Sequence, residues 1–219
     1  MGGRGQLQIG PIGGLLLVLW PLLASAGTLS VTVLDRQGNP VSDVVVYAQH
    51  AAAAGNSSQT RSAILDQVDR RFDPHVLVVS RGTQVHFPNS DIVAHHVYSF
   101  SRPNQFKLPL YKGAPLAPVT FEHEGLVTIG CNIHDDMLAY IVVLDTEVFA
   151  KTDAQGHATL AYGDWQFPAE VTFWSPRFRG AKGYLTKTIA SGAALEVRLD
   201  KALKRPHRQS AWSAGDDEY

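Results

Sequence analysis

Gly125-Leu126-Val127-Thr128-Ile129-Gly130-Cys131-Asn132-Ile133-His134-Asp135-Asp136-Met137-Leu138-Ala139-Tyr140-Ile141-Val142-Val143-Leu144 reads as a strand, a short loop and a second strand. Cys131 is the only cysteine in the chain. His134 and Met137 follow it at close spacing, so a thiolate, an imidazole and a thioether share one loop. That donor set suits a mononuclear type 1 copper site, short of one histidine. The missing imidazole has a candidate upstream, in Asp91-Ile92-Val93-Ala94-His95-His96.

The start of the chain reads as an address rather than as structure. Arg4 is the only charge before the apolar run Leu15-Leu16-Leu17-Val18-Leu19-Trp20-Pro21-Leu22-Leu23, and Ala24-Ser25-Ala26 fits a small-residue cleavage site. Residues 1–26 are therefore expected to be a secretory signal peptide, with the mature chain starting near Gly27. The run falls short of the roughly 20 apolar residues that span a bilayer. An uncleaved anchor is the alternative, and no later stretch is long enough to span.

Export sharpens the reading of Cys131. A single cysteine makes no internal disulfide, so it stays free, pairs between molecules, or binds something. A free exposed thiol is liable to oxidation in an oxidising compartment, and metal ligation removes that liability. Without Arg4, 18 of the 19 basic residues remain against 20 acidic ones, a net charge of about −2 (18 − 20). That balance argues against nucleic acid or an anionic membrane as the main partner.

The rest of the chain reads as all-β. Thr28–Leu34 alternates as a strand, Asp35-Arg36-Gln37-Gly38-Asn39-Pro40 is a turn, and Val44–Ala48 is a second strand expected to form a hairpin-like pair with the first. Ala51–Ser58 reads as a linker. Strands are expected at Val76–Val79, Gln84–Phe87, Val97–Phe100, Val119–Phe121, Val171–Trp174 and Leu195–Leu199 as well. Short strands at this spacing suggest sandwiches. The polar segment 201–219 is basic, then acidic, and is expected to be a disordered tail.

Residues 72–144 resemble the cupredoxin family, which includes plastocyanin, amicyanin and pseudoazurin. The resemblance rests on Phe72-Asp73-Pro74 through Phe87, on Asn89-Ser90-Asp91 before the histidine, and on Gly-x-x-x-x-Gly-Cys-x-x-His-x-x-Met over 125–137. The spacing of Cys131, His134 and Met137 looks most like amicyanin. His95-His96-Val97-Tyr98-Ser99-Phe100-Ser101 and Gly130–Met137 look like exported proteins labelled methylamine utilisation protein-like.

The resemblance implies a Greek-key β-sandwich with one type 1 copper per chain. His95, Cys131 and His134 would be equatorial ligands and Met137 axial. His96 then points to the opposite face, since side chains alternate along a strand. Asn89 and the backbone around Asn132 are candidate donors to the thiolate or its loop. His75, His86 and His123 read as surface or turn residues, and Tyr98, Phe100 and Phe106 as core or loop packing. The pair Asp135-Asp136, a solvated loop, replaces the apolar residues that many cupredoxins place beside the second histidine.

Val31–Val41 resembles the start of a carboxypeptidase regulatory-like domain, a transthyretin-like β-sandwich. The Thr-Asp-x-x-Gly continuation of that family comes only at Thr152-Asp153-Ala154-Gln155-Gly156. The expected division is thus an N-terminal β segment, 27–61, a cupredoxin domain, 62–147, and a C-terminal β segment, 148–200. A single elaborated cupredoxin domain is the alternative.

Three functions fit these residues. The resemblance implies a periplasmic, non-enzymatic electron carrier working between protein redox partners, a c-type cytochrome or a dehydrogenase. A copper carrier or sensor, and a cell-surface β-sandwich binding module, are the alternatives. A cysteine hydrolase lacks a third residue and an oxyanion arrangement. A multicopper oxidase needs several His-x-His motifs, and the sequence has none.

Overall fold

Leu29, Val31 and Val33 alternate with polar residues, and all three side chains are buried, so the first strand presents one face to a core. The computed structural model describes residues 27–49, 61–113, 117–162, 167–180, 183–192 and 194–207. The expected signal peptide, the Ala51–Ser58 linker and residues 208–219 lie outside them. Among the described residues there is no α-helix, so the all-β expectation holds.

The chain forms β1 (Gly27–Leu34), β2 (Val45–Ala48), β3 (Ser62–Ile64), β4 (Asp66–Val68), β5 (Arg71–Asp73) and β6 (Val76–Ser80). Then come β7 (Thr83–His86), β8 (Tyr98–Ser99), β9 (Phe106–Lys107), β10 (Val119–Phe121), β11 (Gly125–Gly130) and β12 (Leu138–Leu144). The last are β13 (Phe149–Lys151), β14 (His157–Tyr162), β15 (Ala169–Trp174), β16 (Tyr184–Ile189) and β17 (Ala194–Arg198).

Two pairs of sheets enclose two cores. Sheets ordered β14-β1-β17 and β13-β2-β15-β16 bury Leu29, Val31, Val46, Leu160, Val171 and Phe173 between them. Sheets ordered β10-β7-β3 and β6-β12-β11-β8-β9 bury Phe87, Phe121, Val127, Ile129 and Ile141. A third cluster joins the sandwiches: Val45, Tyr47 and Trp174 pack with Val76, Val142 and Leu144. β2 and most of β12 are therefore buried on both faces. This is why Val44–Ala48 and Leu138–Leu144 are unbroken apolar runs with no period of two.

β1 and β2 do not form the expected hairpin. The turn between them is real: Asp35 Oδ1 accepts from the backbone N–H groups of Gln37 and Asn39. After Val41, however, the chain leaves β1. Asp43 sits at φ 58°, and the Val44 N–H donates to Thr152 Oγ1, turning β2 into the opposite sheet. Thr152 is buried and also donates its hydroxyl to Val41 O at 2.8 Å, while its N–H donates to Val44 O. One side chain thus joins segments more than a hundred positions apart, before and after the strands of the other sandwich. Gly156 follows at φ +76°, where a Cβ would stand 2.6 Å from Val33 O, so the turn requires glycine.

Residues 201–207 also differ from expectation. They carry no strand, yet they are tied down: Lys204 N–H donates to Arg177 O, and Arg179 Nε donates to Ala202 O. His207 Nε2 reaches Asp136 O at 3.0 Å.

Thr152→Val keeps the shape of the side chain and leaves the Val44 N–H without its partner. It is expected to lower the unfolding free energy by about 1–3 kcal/mol in urea titrations of the full chain, with Thr152→Ser largely neutral. An unchanged midpoint for Thr152→Val contradicts this role.

Candidate metal centre

β11 and β12 pair antiparallel to their ends, Gly130 opposite Leu138, so residues 131–137 form the loop closing a hairpin. Gly130 also pairs with Tyr98 of β8. The Tyr98 ring lies over Gly130, where a Cβ would meet the phenol oxygen at 3.0 Å. That close approach carries the segment preceding Tyr98 against the cysteine loop.

His95, Cys131 and His134 meet there, with one donor atom from each lying within 4.8 Å of the others. His95 Nδ1 and His134 Nδ1 are 3.0 Å apart, and Cys131 Sγ is 3.8 Å from His134 Nδ1. In a trigonal plane with bonds of about 2.0 Å to nitrogen and about 2.3 Å to sulfur, donors stand about 3.5 Å (N to N) and about 3.7 Å (N to S) apart. The two distances lie within about half an ångström of that geometry, so the residues fit a thiolate–bis-imidazole metal site. Met137 is buried and lines, with Cys131, a cavity of about 490 Å³. His96 stays out of the group, while His95 is fully buried.

The His95 ring is held from behind. Its Nε2 lies 2.8 Å from Asp91 Oδ2, and the Asp91 side chain is only 6% exposed. Asp91 also accepts from the N–H groups of Arg70 and Ile92, each at 2.7 Å. The Arg70 N–H reaches it because Asp69 and Arg70 both adopt positive φ in the two-residue turn of the β4–β5 hairpin. Further along, His95 and Tyr111 exchange backbone hydrogen bonds. Asn89 does not donate to the thiolate. Its Nδ2 donates to Val93 O and Tyr111 O, and its Oδ1 accepts the Asp91 N–H, so it shapes the loop that carries Asp91 and His95. The part Asp91 plays behind the His95 ring, and the β4–β5 hairpin, escaped the sequence reading. The one available signal was Asp91 itself, four residues before His95.

The electrostatics follow from this packing. Burial pushes the Cys131 thiol up, but hydrogen bonds from the His95 side chain and from the N–H groups of Ile133 and His96 bring it below its ordinary value. The Ile133 N–H is the donor expected beside Asn132. Burial pulls His95 down, yet Cys131 and Asp91 together hold it above its usual value. Burial and the neighbouring His95 push His134 down. Burial raises Asp91, and its hydrogen bonds to His95, Arg70 and Ile92 outweigh that.

Other residues stand as follows. His86 and His123 remain outside the group, His123 exposed. Asp135 and Asp136 are exposed. Phe106 packs on Phe87 and Phe121. Phe100 is not core: it is 75% exposed, resting against Tyr98. His75 is not a surface residue either. It is half-buried, with Nδ1 at 2.9 Å from Leu138 O and its ring against Tyr140.

No protein-family model matches the chain, and no curated protein matches it. Solved structures do. A purple cupredoxin from Nitrosopumilus maritimus is 22% identical, the match covering 37% of this chain and 98% of that one, at a TM-score of 0.33. An amicyanin mutant in its reduced Cu(I) form at pH 4 is 22% identical over 46% of this chain and 98% of its own, at 0.34. A copper-containing nitrite reductase from Thermus scotoductus SA-01 is 25% identical over 43% of this chain and 25% of its own, at 0.37.

Asp91→Asn replaces the acceptor behind His95 with a poorer partner. Metal affinity is expected to fall about 10–100-fold in competition with a chelator, with the fold retained. An unchanged affinity contradicts the supporting role. A metal must displace the proton that Cys131 and Asp91 hold on His95, so affinity should weaken as the pH falls from about 8 to about 5. A flat profile over that range contradicts it.

Proposed function

We propose that this chain is an exported, mononuclear type 1 copper protein that passes single electrons between protein redox partners. The observation that carries the reading is the gathering of donor atoms from His95, His134 and Cys131 within 4.8 Å of one another. Copper bound there supplies a one-electron couple between Cu(II) and Cu(I). The chain supplies the constraint. His95 is fixed at Nε2 by Asp91, Cys131 is held by two backbone N–H groups, and Met137 is the candidate axial donor from the same loop. Ligands held this firmly rearrange little between oxidation states.

His134 is the half-exposed imidazole of the set and forms the route to the surface. Beside it Ile133 is 50% exposed, and Ile92, next to Asp91, is 69% exposed. These apolar side chains suit brief docking of a c-type cytochrome or a dehydrogenase, with Asp135 and Asp136 favouring a basic rim on that partner. The signal peptide expected over 1–26, taken with the bacterial character of the resemblance, supports a periplasmic site of action.

The cavity beside Cys131 and Met137 favours a second reading, copper carriage. A side access to two sulfur donors suits transfer of the ion itself. Reversible cycling at a fixed potential supports electron transfer; exchange of Cu(I) with a chelator, without such cycling, supports carriage.

Titrating the full chain with Cu(II) should raise an intense visible thiolate-to-copper band that saturates at about one copper per chain. Cys131→Ser should abolish it and His96→Ala should leave it. A band that survives Cys131→Ser contradicts the ligand set.

A further inference from the structure

A second cavity, of about 550 Å³, lies where the two sandwiches meet, away from the ligand cluster. Its walls come from three places: Ser42 and Asp43 after the first turn, His75 and Tyr140 of the other sandwich, and Arg177 with Lys204, Arg205 and His207. The size is that of small-molecule sites, which run from about 300 to about 1,000 Å³.

The charge is lopsided. Arg177, Lys204 and Arg205 bring three permanent positive charges, and none of them makes an ion pair among the described residues. Among the described residues the one acidic side chain in the wall is Asp43, which is bound to Lys151 at 2.8 Å. The Nε of Arg177 is buried with no hydrogen-bond partner. A buried guanidinium N–H without an acceptor costs free energy, and since this Nε has no accessible surface, an anion in the cavity satisfies it only if the Arg177 head group turns toward the cavity. On a chain of net charge −1, three cations around one cavity with no ion-pair partner among the described residues need a reason.

We propose that this cavity binds a phosphate monoester carried on a flat ring. Such a group has about two negative charges at neutral pH and three acceptor oxygens, against one charge for a carboxylate. Arginine forks match it in two-point contacts, and a partly enclosed site is screened by salt less than an open surface. The ring has aromatic surface to lie against. The His75 and His207 planes are parallel within 4° at a centroid distance of 6.3 Å, and Tyr140 stands edge-on to His75.

The site also touches the cysteine loop. His75 Nδ1 contacts Leu138 O and His207 Nε2 contacts Asp136 O, the two carbonyls on either side of Met137. A ligand that moves either imidazole therefore bears on the loop that carries Met137.

Metal-free full-length protein is titrated with phenyl phosphate by calorimetry, so the test stands apart from the copper reading. The expected result is saturable binding of about one ligand per chain, weakened about tenfold or more in Arg177→Gln. Arg205→Gln, on the exposed segment, should weaken it as well without disturbing the fold. Benzoate should bind distinctly more weakly, and inorganic phosphate, without a ring, more weakly too. No saturable binding overturns the proposal, as does an affinity that neither variant lowers. Benzoate binding as tightly as phenyl phosphate overturns the assignment to a phosphate, and inorganic phosphate binding as tightly overturns the role of the ring.

Discussion

The buried imidazole of His95 is the constraint around which the centre is arranged. A histidine with no exposure to water must satisfy both ring nitrogens within the protein. Asp91 takes Nε2, which leaves Nδ1 facing Cys131 and His134. This orientation has a chain of causes. Asn89 closes the loop back on Tyr111, Tyr111 exchanges backbone hydrogen bonds with His95, and the β4–β5 turn presents the Arg70 N–H to Asp91. Remove the carboxylate and the ring has a buried nitrogen to satisfy elsewhere. The cost falls on ligand geometry before it falls on the fold.

The cysteine loop depends on a different feature. β11 and β12 are paired to their last residues, so the loop is short and its ends are fixed. β12 is buried against the second sandwich through Val142 and Leu144, and against its own core through Ile141 and Val143. The loop therefore stands on a strand fixed from both sides. Residues 201–207 add a third contact through His207 and Asp136. The second sandwich thus supports the candidate metal centre through packing, with no residue of its own among the three donors.

Legibility followed locality. Cys131, His134 and Met137 share one loop, so their proximity could be read without any knowledge of the fold. The apolar runs of β2 and β12 were legible as strands, but their burial on both faces was not, because it depends on the contact between the two sandwiches. His95 needed the resemblance, because nothing local separates it from His96. Asp91 stayed hidden, since its part depends on a hairpin whose turn, Asp69-Arg70, lacks the glycine that marks such turns. The β1–β2 pairing misled for a related reason. The turn at Asp35 is a true local signal, but the destination of β2 is decided by Thr152, far away in sequence. The packing of 201–207 depends likewise on partners at Arg177, Arg179 and Asp136 that composition does not display.

In the proposed function three side chains, from one loop and one distant segment, hold a single copper ion. Diffraction from crystals of the copper-loaded full chain, with anomalous maps recorded on either side of the copper absorption edge, tests it most directly. One copper peak per chain is expected, bounded by His95 Nδ1, His134 Nδ1 and Cys131 Sγ. A peak elsewhere, such as between His75 and His207, or no peak in a crystal of folded protein, would contradict it.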